Sequence, residues 1–187
     1  MRRLDLHPRK KLRNPARHLR QLARWAERIA DQLPAAEILE GARFWNFKVP
    51  VFAKLVEPPH ATPATQCASV VAIFAAAEAL ERSSRRPPNC RVACLVTTPF
   101  LFESEVTLFF DDSYFRSFLP PTGLARTPLE EGWVEAGPAA SGALPDYMPP
   151  APTGLAFLGG TLLRQFDPDW GPEPIERINW VWAFPKR

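Results

Sequence analysis

Twenty-two prolines in 187 residues, more than double the usual share of roughly 5%, set the frame within which this chain can fold. Each proline fixes φ near about −65° and lacks an N–H. Regular elements must therefore fit between prolines, and the connections between them are long and stiff. With 46% hydrophobic and 11% aromatic residues, the chain can nevertheless bury enough apolar surface to fold as one domain with a real core.

Residues 14–33, NPARHLRQLARWAERIADQL, predict the first helix. Asn14 suits the N-cap and Pro15 the first helical position, where its missing N–H costs nothing. Leu19, Leu22, Ala26, Ile29 and Leu33 form one apolar stripe, while Arg17, Arg20, Arg24 and Arg28 fall on the opposite face. Pro34 stops the helix. A second helix is predicted from Pro63 to about Arg82, capped by Thr62, with Val70, Val71, Phe74 and Ala77 facing inward.

Residues 44–52, FWNFKVPVF, alternate as a strand, and Pro50 assigns it to an edge or a strand end. Trp45 and Phe47 face one way; Phe44, Asn46 and Lys48 face the other. Residues 90–98, CRVACLVTT, are apolar on both faces, as a central strand is. Residues 104–110 predict its antiparallel neighbour. Asp111 or Asp112 then caps a short helix, SYFRSFL. Two more strands are expected in GLAFLGGTLLRQF and INWVWAF. Residues 120–154 hold eight prolines and five glycines; they read as irregular structure with one short element at LEEGWVE. The expected fold is α+β: a single antiparallel sheet of four to five strands, two main helices on one face, and long Pro-rich loops. Residues 1–13 form a flexible basic tail ahead of one domain spanning 14–187.

The stretch FWNFKVPV, the Gln66–Ala68 helix start and RVACLVTTPFLFESEVTLFFDDSYFRSF together resemble a family of bacterial proteins of about this length known only as a domain of unknown function. The likeness lies in a Trp-Asn-x-Lys-Val-Pro-Val strand, a Ser-Glu-Val-x-Leu-Phe strand and a Tyr-Phe-x-x-Phe helix, and covers residues 12–119. It implies the element order and a bacterial origin, and it brings no activity.

Charge is unevenly placed. Residues 1–30 carry ten Lys/Arg against Asp5 and Glu27, a charge of +8, which leaves thirteen basic and eighteen acidic residues, −5, on the rest. The net charge of +3 thus describes a basic arm on a mildly acidic body. Three cysteines, Cys67, Cys90 and Cys94, make no disulfide framework and read as reduced thiols. The basic N-terminus is followed by no apolar run, and the longest apolar stretch carries Glu78. A cytoplasmic protein without a membrane span is expected.

The familiar catalytic groupings are missing from the sequence. Only His7, His18 and His60 are present, and there is no C-x-x-C, H-E-x-x-H, calcium loop, G-x-S-x-G elbow or phosphate-binding loop. Neither a metal nor a cofactor is expected. Three functional readings follow. The first is a non-catalytic protein-binding module, most concretely a cytoplasmic immunity protein that neutralises a bacterial toxin, the product of a neighbouring gene, by occluding its active site. Its docking surface would be Glu103, Glu105, Asp111, Asp112, Glu130 and Glu131, with Trp133, Tyr147 and Trp170 as anchors. The alternative is a nucleic-acid-binding accessory protein using Arg13, Arg17, Arg20, Arg24 and Arg28 on phosphates. The third is a hydrolase built on paired carboxylates such as Glu103 with Glu105.

Overall fold

The structure, a computed structural model, describes residues 14–117, 119, 134–139, 144–166 and 171–186. Helix α1 (Pro15–Glu27) begins as its sequence dictates: Asn14 Oδ1 accepts the Arg17 N–H at 2.9 Å, and Pro15 opens the first turn. The helix is shorter than the expected 14–33. Beyond Glu27 the chain tightens into a 3₁₀ turn, Ile29–Gln32, and Leu33 is extended (φ −58°, ψ 126°). Pro34 is the cause, because its ring disfavours helical backbone at the preceding residue. Ile29 and Leu33 stay buried all the same.

One turn of helix, α2 (Ala36–Leu39), leads into β1 (Phe44–Lys48). The long helix α3 (Pro63–Arg82) starts in a capping box made by Thr62 and Thr65. It is followed by β2 (Arg91–Thr98), β3 (Glu105–Phe109), α4 (Asp112–Arg116), β4 (Val134–Ala139), β5 (Ala156–Gln165) and β6 (Ile175–Ala183). The strands form one antiparallel sheet in the order β1-β3-β2-β6-β5-β4. The fold is α+β, with β1 at an edge and β2 inside the sheet. Six strands among the described residues exceed the expected four to five. The extra one is β4, which lies within the segment that reads as irregular. Gly137 (φ 140°), Pro138 and a register shift between Glu135 and Gly137 disguise it. An edge strand tolerates all three, because its outer N–H groups need no partner.

α3 lies against β2 and β3. Its Val70, Ile73, Phe74, Ala77 and Leu80 join Val92, Cys94, Val96, Val106, Leu108, Trp180 and Trp182 in the main core. Phe74 meets Trp182 edge to face at 5.1 Å. Val71, expected inside, is half exposed at 49%. With 20 residues and a mean hydropathy of 1.4 over its most apolar window, α3 is long and apolar enough to cross a membrane by length and composition; here it is the central helix of the core. α1 packs beside it, placing Leu22, Ala26 and Ile29 in the same core.

The opposite sheet face carries a small second cluster, Ala93, Phe109 and Ala183 under Phe115 of α4. Further along this face Thr97 donates from its hydroxyl to Asn179 Oδ1 at 2.9 Å, both side chains being buried. The three cysteines are free thiols, Cys90 and Cys94 buried and Cys67 half-buried.

Gly160 permits the tightest approach in the sheet. A Cβ there would lie 2.4 and 2.6 Å from the Trp180 ring and 3.2 Å from Ala139 Cβ. Trp180 is fully buried and donates its indole N–H to Thr98 Oγ1 at 3.0 Å, so it has nowhere to move. Gly160→Ala is expected to cost about 1–3 kcal/mol as an overpacked core, read as a lower urea midpoint; an unchanged midpoint would mean that β5 shifts freely past Trp180.

Candidate functional site

Among the acidic candidates, each described one (Glu103, Glu105, Asp111 and Asp112) is engaged within the chain. Asp111 is the N-cap of α4: its Oδ1 accepts from the Ser113 N–H (2.8 Å), the Ser113 hydroxyl (2.6 Å) and the Tyr114 N–H (3.2 Å), and its Oδ2 meets Arg43 at 3.0 Å. The Ser113 hydroxyl foremost, then the Tyr114 N–H and Arg43, hold its carboxyl well below the usual range. Asp112 pairs with Lys186 at 2.8 Å and lies 4.0 Å from Arg91; the Lys186 contact lowers its pKa.

The backbone puts the paired carboxylates Glu103 and Glu105 in different elements. Glu103 belongs to the 3₁₀ turn Leu101–Glu103, ahead of the strand, and is ion-paired with Arg177 of β6. Glu105 opens β3, is buried, and accepts from Lys48 Nζ at 2.9 Å and Asn46 Nδ2 at 3.0 Å. The cavity beside it, bounded in part by Leu95, Thr107, Phe115 and Val181, is only about 10 Å³, room for about one water. The two carboxylates are thus held by different cations, Glu103 by Arg177 and Glu105 by Lys48. Tyr147 packs against the main core, and burial pushes its hydroxyl up to about 12. Glu130, Glu131, Trp133, Trp170 and Arg13 lie outside the described residues.

Two serine hydroxyls are likewise engaged. Ser69 donates to the Thr65 carbonyl at 2.9 Å, and Ser104 Oγ accepts the Thr97 N–H at 3.1 Å. Among the described residues no three His, Cys, Asp or Glu come together to hold a metal ion.

The arginines behave differently. Arg17, Arg20, Arg24 and Arg28 are all exposed, and among the described residues none of their guanidiniums meets a carboxylate or any other hydrogen-bond partner. Their alignment follows from helical geometry: burying Leu22 and Ala26 on α3 turns positions 17, 20, 24 and 28 outward. At 1.5 Å per residue the row runs roughly 16 Å. Glu27 is the one acidic side chain on α1.

His18 fixes the angle at which this row is presented. Its Nε2 accepts the Phe52 N–H at 2.9 Å, and its ring lies 5.7 Å from the Phe52 ring. Burial lowers its pKa, opposed by a hydrogen bond with the Pro50 backbone. The folded-state pKa is therefore below the unfolded value of about 6.5, so the stability from neutral His18 is present above that value and is lost as pH falls through the folded pKa. We expect the thermal midpoint to fall between pH 7 and pH 5, and to fall less in His18→Gln, which keeps an acceptor for Phe52 without titrating. Equal falls in both proteins would show that His18 does not couple to folding.

The sequence disclosed Arg17, Arg20, Arg24 and Arg28 on one face and the caps Asn14 and Thr62; it left the α4 cap open between Asp111 and Asp112, and that cap is Asp111. It gave no sign of the cross-strand partners Arg43, Lys48, Arg177 and Lys186, since pairing them needs the register of the sheet. A search of curated proteins and one of solved structures each find no match to this chain. A family model does match: residues 23–132, from the middle of α1 through β1, α3, β2, β3 and α4, fit the model described as a protein of unknown function, DUF3916. Because that match spans more than half of the 187 residues, the chain belongs to the DUF3916 family.

Proposed function

We propose that this protein is a non-catalytic binding protein that presents the arginine face of α1 to the phosphate backbone of a nucleic acid. The observation that carries the reading is the contrast in charge use: the described acidic candidates are neutralised inside the chain, while Arg17, Arg20, Arg24 and Arg28 stand exposed and without a partner among the described residues. Fold stability gives no reason for that arrangement. Arg17 sits in the first turn of α1, where no acidic residue offsets it and where the helix dipole disfavours a cation by a few tenths of a kcal/mol. Four cations on one rigid edge, with ten Lys/Arg in the first 30 residues, match a polyanion.

The immunity reading draws on the same lack of catalytic groupings. Its acidic docking surface gets less support here, because a toxin's cations would have to displace Arg43, Lys48, Arg177 and Lys186 from their partners. The deciding test is binding of fluorescein-labelled DNA and RNA to the full chain and to a variant carrying Arg17→Gln, Arg20→Gln, Arg24→Gln and Arg28→Gln. The reading expects binding by the first and its loss in the second, with equal helicity in both. Absence of binding to either nucleic acid would overturn it.

A further inference from the structure

The row of arginines does not end in open surface. The helical stretch that carries it closes at Leu33, and there Arg85, an exposed residue just beyond α3, brings its guanidinium to the Asp31 and Leu33 carbonyls at 3.5 and 3.4 Å. Immediately beside Arg85 lies a surface cleft of about 370 Å³ lined by Ser83, Ser84, Arg86, Pro87, Pro88 and Asn89. The hollow is open to solvent, with room for one planar ring system to lie on it.

The cleft is unlike the arginine row in its chemistry. Arg86 is neutralised by Glu81 at 2.9 Å and Arg82 by Glu78, and the C-terminal carbonyls of α3 add partial negative charge. Of the nearby cations only Arg85, outside the cleft's lining and held by backbone carbonyls, lacks a carboxylate partner among the described residues, so the cleft itself carries little net positive charge. Its distinguishing groups are neutral. Ser84 and Asn89 are exposed, and their side chains meet no partner among the described residues. Asn89 is held at φ 58°, and Pro87–Pro88 give the wall fixed φ and no N–H. Two proline rings beside an unengaged amide and hydroxyl suit the face and polar edge of a nucleobase, which only a single strand offers freely.

We infer that the ligand is single-stranded nucleic acid, with phosphates along α1 and one unstacked base in the cleft between Pro87–Pro88 and the Ser84 and Asn89 side chains. This rests on the nucleic-acid reading of α1, and the two fail differently. The test is fluorescence polarisation of the full chain with a labelled single-stranded oligonucleotide, the same sequence as a duplex, and inorganic polyphosphate as a base-free competitor. The variant is Ser84→Ala with Asn89→Gly, chosen because glycine accepts the positive φ. The inference expects single strand bound more tightly than duplex. The variant, lacking the two hydrogen-bonding groups, should lose about tenfold for the single strand, nothing for duplex, and nothing in competition by polyphosphate. Duplex bound as tightly as single strand, or a variant indistinguishable from the parent, overturns the base site while leaving the arginine face standing. Failure of the parent chain to bind any oligonucleotide overturns both.

Discussion

Glu81→Ala is expected to lower the unfolding free energy by about 3–5 kcal/mol, one of the two largest effects foreseen here. The Glu81 and Arg86 side chains are only 9% and 4% exposed and meet at 2.9 Å. Arg86 also donates to the Cys90 carbonyl at 2.5 Å and to Cys90 Sγ at 3.3 Å. One guanidinium thus ties the end of α3 to the start of β2 across the Arg85–Asn89 turn. Removing the carboxylate leaves a buried cation whose desolvation is no longer offset. Replacing both partners with methionine removes the charge together with its counter-charge and should come close to neutral, since apolar packing substitutes well for a buried pair. Chemical denaturation of the two variants checks this. A loss below about 1 kcal/mol for Glu81→Ala would mean that water reaches Arg86 and screens it.

That turn also illustrates what could be read before the fold was known. RRPPN is legible as a chain break, but the burial of Arg86 is not, because it depends on Glu81 lying one helical turn back and on the Cys90 carbonyl of the next strand. Two helix starts were legible in full, since Asn14-Pro15 and Thr62-Pro63 act through bonds within four residues; α2, which has no side-chain cap, was not. Strand order was legible in part. The apolar run of β2 and the proline after β1 marked centre and edge, and closeness in sequence paired β2 with β3. The β2–β6 pairing was not, since it joins residues about ninety positions apart. β4 was hidden by the glycine and proline that its edge position permits. For the candidate site, a single-helix feature such as the arginine row could be read from spacing alone. The fate of the carboxylates could not: Asp111, Glu103 and Glu105 each find a cation from a distant segment.

The other large effect concerns binding. Glutamine has nearly the helix propensity of arginine, so the fourfold Arg→Gln variant of α1 should keep its fold while losing four phosphate contacts. Counterion release attaches a slope of roughly −0.7 per contact in log affinity against log salt for a single strand. Four contacts therefore account for a slope of about −3, equivalent to affinity falling on the order of 10³-fold as salt rises from 0.1 M to 1 M. The measurement that bears most directly on the account is this slope: affinity for a labelled single-stranded oligonucleotide, titrated from about 50 to 300 mM salt, for the parent chain and the fourfold variant. The account predicts a steep parent slope that becomes shallower by about 3 in the variant. Parallel slopes in the two proteins would contradict it, because α1 would then carry no phosphate contacts.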